Sequence, residues 1–389
     1  MTRRSLITLI SLLFIYNITF ANNTLRLSLI TCSGGSELYS TFGHSALRVV
    51  DSSRNQDIVF NFGLFDFNTP NFYLKFTQGK LNYMLGVQYT QDFIEAYKLD
   101  RRAVYEQILD LTEEEEILIV DRLMYLYQPQ FRNYLYSFLF KNCTTELRDM
   151  LYDKLKIDKA SLEKMTGTTH RELINVYVGN MKWTKVGINL LLGSSLDRDV
   201  TIYETMFLPD NLMDELGKAE NNRGKIVKET IVLNDVKRDS KEGRTLFLLS
   251  PIFVFSLLLL LVLASFFIDR LAFVDKLLLG ILSLFGVVLP FIVIITDHVE
   301  LLGNYNLFWC NPVYLIILIS LLFKWRKMCI GFTCLAATGI IITAYIWISG
   351  IQAFEFSFIL IVVAIILVLS RTLYKCRIQE SVQAKKRTT

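Results

Sequence analysis

The sequence predicts an α+β soluble domain followed by an all-α transmembrane bundle of five helices. Hydropathy divides the 389 residues sharply: residues 22–244 are mixed and charged, whereas 245–372 are dominated by long apolar runs. In the first part, alternating segments and segments of helical spacing follow no regular strand–helix order, which is the pattern of an α+β arrangement. In the second, five apolar segments near 246–268, 272–296, 305–323, 328–349 and 355–372 approach the ~20 residues that a bilayer crossing needs. The net charge of +4 is small, and basic residues are interspersed with acidic ones, so no nucleic-acid footprint is expected.

The chain opens with Arg3 and Arg4, an apolar run from Leu6 to about Ile18, and Thr19-Phe20-Ala21. This is the layout of a secretory signal over residues 1–21. Leu25–Thr31 alternates as a strand, and Ser33-Gly34-Gly35-Ser36 breaks it before a short helical turn over Glu37–Thr41. His44–Val50 and Ile58–Phe62 form an expected hairpin around the polar loop Asp51–Asp57. Gly63–Tyr89 is an aromatic stretch interrupted by Pro70 and Gly79. Arg102–Leu111 reads as a further strand, and Thr112–Gln128 as a helix capped by Thr112, with Glu113–Glu116 at its positive end. A helix beginning near Cys143, with Thr144 and Thr145 as caps, precedes less regular chain containing His170. Lys225–Val236 is the last expected strand before the membrane region.

The loops between the apolar segments set an orientation. Asp269–Lys276, Lys324–Lys327 and the tail from Arg371 into residues 373–389 are basic, and they alternate with loops almost free of Lys and Arg. Basic loops face the cytoplasm. Five spans with a cytoplasmic C-terminus place the soluble domain on the far side, which the signal segment requires independently.

The candidate chemistry centres on Cys143. A helix N-terminus favours thiolate over thiol, and His44 lies upstream at a strand start as its natural partner. Two plainer readings compete: a structural disulfide between Cys32 and Cys143, as exported cysteine pairs usually form, and a core role for His44. The cysteines and histidines lack zinc-site spacing, and no Gly-x-Ser-x-Gly elbow is present, so neither a metal nor an organic cofactor is implied.

Several stretches together carry a resemblance: Thr31–Val49 with Gly43-His44-Ser45, Val59–Phe67, Arg102–Gln107, Asn142–Asp149, and Met206-Phe207-Leu208-Pro209. The order of histidine and cysteine resembles the permuted papain-like fold of the NlpC/P60 and lecithin:retinol acyltransferase superfamily. The whole set resembles the Bacteroidota-type lipoprotein N-acyltransferases (Lnb), with Gly34-Gly35 where Pro-Gly is more usual. Asp297-His298 and Asn304–Leu307 are similar to the loop of that family's membrane domain. The resemblance implies transfer of an acyl chain from a membrane phospholipid to the α-amino group of the S-diacylglyceryl cysteine of apolipoproteins, at a bacterial inner membrane. It implies Cys143 as nucleophile and His44 as general base and acid. Asn61 is the first choice for the orienting residue, although a symmetric hairpin would set residue 64 opposite His44. Tyr39, Ser45 and Asn142 are supporting candidates, Asn142 as an oxyanion donor, and Asp297 and His298 form a possible membrane-domain site. Two alternatives remain: an exported cell-wall thiol amidase or endopeptidase, and a non-catalytic membrane receptor or assembly protein.

Overall fold

The structure, a computed structural model, describes residues 25–236 and 246–388, with side chains as far as residue 377. The expected signal segment and the junction at 244/245 lie outside the described residues.

A seven-stranded antiparallel sheet organises the N-terminal part. Its strands are β1 (Leu25–Cys32), β2 (His44–Asp51), β3 (Gln56–Leu64), β4 (Asn82–Tyr89), β5 (Val104–Leu109), β6 (Asn133–Leu135) and β7 (Val227–Asn234), in the order β7-β5-β1-β2-β3-β4-β6. Alternation sends side chains to two different cores. Leu27, Leu29, Leu47, Val49, Phe60 and Phe62 face a layer that includes residues from three helices, α3 (Glu113–Tyr127), α4 (Cys143–Lys154) and α7 (Pro209–Lys218). Ile30, Cys32, Ala46 and Val59 pack on Phe93 of α2 (Thr90–Leu99). Arg48 ties strands together on that second side. It donates to both oxygens of Asp57 on β3 and both oxygens of buried Glu106 on β5. Removing the buried partner Glu106 costs up to about 3–5 kcal/mol, and removing the half-exposed Asp57 costs less.

The aromatic stretch holds α1 (Phe72–Thr77) and β4, and the region around His170 holds α5 (His170–Tyr177) and α6 (Lys182–Leu191). None of these four was legible in the sequence. In α1 four of the six side chains are aromatic or aliphatic, and the helix is too short for a face to stand out. The start of α5 is marked by a Thr169 capping box with Glu172, which the absence of a long apolar period obscures.

The C-terminal part is helical: α8 (Pro251–Ala264), α9 (Phe273–Ile295), α10 (Val313–Leu322), α11 (Arg326–Ile348) and α12 (Phe358–Thr388). Among the described residues, four segments are long and apolar enough to cross a membrane: Asp269–Ile295, Tyr305–Leu322, Arg326–Ile348 and Phe358–Arg377. The first expected span is instead a shorter apolar helix of 14 residues. Pro251 opens it at N1, and Ser250 caps it, which fixes its start inside the apolar run. α12 runs past residue 372 as one continuous helix.

The two parts are joined by polar contacts that satisfy helix ends. Asn304 donates to the carbonyls of Leu190 and Leu191, and Asn306 to those of Asn189 and Leu190, so the terminal carbonyls of α6 are met by side chains of the bundle. Gly193 follows directly. A Cβ there would sit 1.9 Å from the Leu302 carbonyl, so only glycine permits this approach.

Candidate active site

Cys143 occupies the first position of α4. The cap is Asn142, correcting the assignment of Thr144 and Thr145: its side-chain oxygen accepts from both of their N–H groups at 2.8 Å. Thr145 completes the capping box by accepting from Asn142 N. The Asn142 amide nitrogen donates to the carbonyls of Phe138 and Phe207. Both amide hydrogens therefore hold the preceding loop and the 206–209 segment, and neither is left for an oxyanion. That part of the sequence reading is corrected: Asn142 positions the helix start.

His44 begins β2, directly after Gly43. Gly43 has φ +82°, and a Cβ there would lie 2.8 Å from the Cys32 carbonyl, so the turn into the histidine strand demands glycine. The hairpin closes on Asp51↔Gln56 rather than symmetrically on residues 51 and 57. Carried to its end, this register sets Gly63, not residue 64, opposite His44. Asn61 is then the diagonal neighbour on the same face, and its Oδ1 accepts from His44 Nε2 at 2.5 Å. Asn61 thus engages one of the two ring nitrogens, and the imidazole lies close enough to Cys143 for its charge to act on the thiol.

The electrostatics follow from this pairing. Burial alone pushes the Cys143 thiol up. The His44 charge and hydrogen bond, with further bonds from the Ser45 backbone and Thr144, outweigh it and bring the thiol down to about 7. For His44, burial acts downward, but the thiolate and the bonds to Cys143 and Asn61 raise it above its ordinary value. The two shifts favour a thiolate–imidazolium pair. Ser45 is fully buried and accepts from Thr144 Oγ1 at 3.2 Å, so it braces α4 against β2. Cys32, directly opposite His44 in the β1–β2 register, is fully buried, and its thiol is pushed upward by burial. Both Cys32 and Cys143 carry free thiols, so the competing disulfide between them is not formed. His170 is buried beside Phe207, away from the pair.

A cavity of about 290 Å³ opens in front of Cys143 and His44. Its walls are largely aromatic, including Phe65, Phe76, Tyr83, Tyr136 and Phe138, and Tyr39 stands at its edge, 71% exposed. The bundle contributes His298 to the same cavity. His298 Nε2 donates to the Phe76 carbonyl at 2.8 Å, Asp297 N donates to the Gln78 carbonyl at 2.9 Å, and the Asp297 carboxylate lies 3.8 Å from Lys80. Asp297 is thus an exposed strap residue outside the cavity wall, whereas His298 is part of that wall.

Glu300 is the residue that sequence reasoning missed. It is buried; its Oε1 accepts from Ser137 Oγ and Leu139 N, and its carbonyl accepts from Gly193 N. Its other oxygen faces His298 Nδ1 at 3.9 Å. A carboxylate from the bundle therefore holds the loop leading into Asn142 and Cys143. An acidic residue two positions after a histidine in a short loop was the only available signal. Among the described residues, no cluster of three or more His, Cys, Asp or Glu is placed to hold a metal ion.

Residues 16–175 match the Lnb N-terminal periplasmic domain, and residues 241–380 match the Lnb transmembrane domain. The chain belongs to the Lnb family. Together the two matches span most of the chain and keep the order of soluble part and bundle, so this is a multi-pass membrane protein with a periplasmic N-terminal domain. No curated protein and no solved structure matches it.

Proposed function

We propose that this Lnb-family protein is a lipoprotein N-acyltransferase that works through an acyl thioester on Cys143. The observation that carries the reading is the Cys143–His44–Asn61 arrangement at an apolar cavity completed by the membrane domain. The Cys143 thiolate attacks an ester carbonyl of a membrane phospholipid, forming the C–S bond. Thr144 and Thr145 N–H are held by Asn142, so the Cys143 N–H is the backbone donor for the oxyanion. Collapse breaks the C–O bond, and protonated His44 gives its proton to the departing lysophospholipid oxygen. The free α-amine of a diacylated apolipoprotein then attacks the thioester. His44 takes the amine proton, and the amide leaves with the acyl chain as Cys143 returns to thiolate. Asn61 keeps His44 in the tautomer and orientation that both steps use.

In this reading the fold is permuted papain-like, α8 completes a five-span bundle, and the protein sits in a bacterial inner membrane with its C-terminus in the cytoplasm. Domain limits of 22–244 and 245–372, after a signal over 1–21, go with it. The apolar walls favour an acyl chain over a cell-wall glycopeptide, which would need polar partners along the cleft.

The test is the intact mass of detergent-purified protein incubated with phospholipid, with Cys143→Ala and His44→Ala beside it. The expected result is an acyl-sized adduct on the wild type alone, removed by hydroxylamine and transferred to a diacylated lipopeptide. An unmodified wild-type mass, in protein that remains active on lipopeptide, rules the thioester out.

A further inference from the structure

The cavity does not open into a polar rim. Leu38, Tyr39 and Phe76 line it and are 46%, 71% and 50% exposed. Beyond Phe76 the apolar surface continues along α1, where Tyr73 and Leu74 are 79% and 51% exposed, and onto Phe67. A contiguous exposed apolar patch of this kind marks an interaction surface.

Its position in the fold names the partner. Three consecutive residues after the end of α9, a membrane-crossing helix, are bonded to the end of α1: Thr296 Oγ1 to the Thr77 carbonyl at 2.8 Å, Asp297 N to the Gln78 carbonyl, and His298 Nε2 to the Phe76 carbonyl. A six-residue helix is about 9 Å long, so all of α1 lies within roughly that distance of the residues that follow the end of α9. Its composition, with tyrosine and phenylalanine beside Lys75 and nearby Lys80, is that of an interfacial segment whose rings enter the acyl boundary while the ammonium groups stay at headgroup level.

We propose that α1 and the mouth formed by Leu38, Tyr39 and Phe76 are immersed in the periplasmic leaflet and form the portal through which a lipid acyl chain passes from the bilayer to Cys143. The proposal rests on the acyltransferase reading for the chain's destination, but the contact with lipid does not. The bundle holds the portal at the membrane surface through the 296–298 strap, and the apolar rim spares the chain a passage through water.

The experiment uses the full chain in phosphatidylethanolamine/phosphatidylglycerol vesicles, with the photoreactive residue p-benzoylphenylalanine replacing Tyr73. The control carries it in place of Tyr89, which is 69% exposed at the opposite end of β4 from Tyr83 of the cavity wall. Irradiation is expected to give a phospholipid-sized mass adduct at position 73 and none at 89. In parallel, Tyr73→Ser/Leu74→Ser is expected to slow acylation of Cys143 by vesicle phospholipid about tenfold while 4-nitrophenyl butyrate, a soluble ester, still acylates it at the wild-type rate. A position-73 adduct of a second copy of the chain, equal lipid labelling at 73 and 89, or equal loss with both esters overturns the portal. Lipid labelling at 73 without any Cys143 acylation in the wild type leaves the portal standing and removes the acyltransferase reading instead.

Discussion

Cys32 and Cys143 converge on His44 from two sides, yet their surroundings are opposite. Cys32 sits on a central strand in direct register with the histidine, enclosed by Ile30, Ala46, Val59, Phe93 and Val104. Cys143 starts a helix, stays partly exposed and feels the charge of the imidazole. Burial pushes both thiols upward, and only at Cys143 do the counter-charge and hydrogen bonds outweigh it. Register neighbourhood to a histidine is therefore not activation. A thiol becomes a nucleophile where the thiolate is both solvated by donors and open to a substrate.

The sharpest way to break the comparison is to exchange the two roles by deletion. Cys143→Ala is expected to abolish the acyl adduct and reduce turnover at least about 10³-fold, whereas Cys32→Ala is expected to leave turnover within about twofold, both read by lipopeptide acylation. Adduct formation that survives in Cys143→Ala and vanishes in Cys32→Ala would invert the assignment. His44→Ala comes next, with an expected loss of about 10²–10⁴-fold for a group serving as base and acid.

Glu300→Ala is expected to cost about 1–3 kcal/mol of stability, because Leu139 N loses its acceptor in a buried setting. A thermal melt in detergent and the rate of Cys143 acylation should fall together, while the Glu300→Gln variant, which keeps the Oε1 acceptor, should recover most of both. A Glu300→Ala protein with unchanged acylation would show that the loop before Cys143 orders itself.

Alkylation by iodoacetamide gives the finest test. Its rate at Cys143 should rise with pH around a midpoint of about 7, with Cys32 left unmodified until the protein is unfolded. Asn61→Ala removes a bond that raises His44, so the imidazolium is less favoured and the thiolate loses part of its counter-charge. The sign is an upward move of the Cys143 midpoint, and a shift of one unit from about 7 lowers the thiolate fraction at pH 7 about fivefold. A midpoint unmoved by Asn61→Ala would show that Asn61 does not support the pair.

Much of this was legible in the sequence, and the rest shares identifiable causes. The β2–β3 hairpin, the capped helix after Thr112 and the separation of charged and apolar halves are carried by local period and local caps. Asn61 could be chosen from its strand, but its place relative to His44 depended on the residue at which the loop closes, a choice that alternation does not encode. At Cys143 the neighbouring threonines are also favoured cap residues, although Asn ranks above them, and the extended φ and ψ of Asn142 decide between them. Glu300 lay beyond reach because its partners, Ser137 and Leu139, are more than 160 residues upstream. The catalytic roles, as opposed to the positions, remain for the experiments above.

The Glu300 contact also has a consequence in time. A ribosome adding roughly 5–20 residues per second makes Glu300 some ten to thirty seconds after Cys143. Until then the loop before Cys143 has no carboxylate to fasten it, and His298 has yet to close the cavity wall. Assembly of the bundle is the last step in building the site.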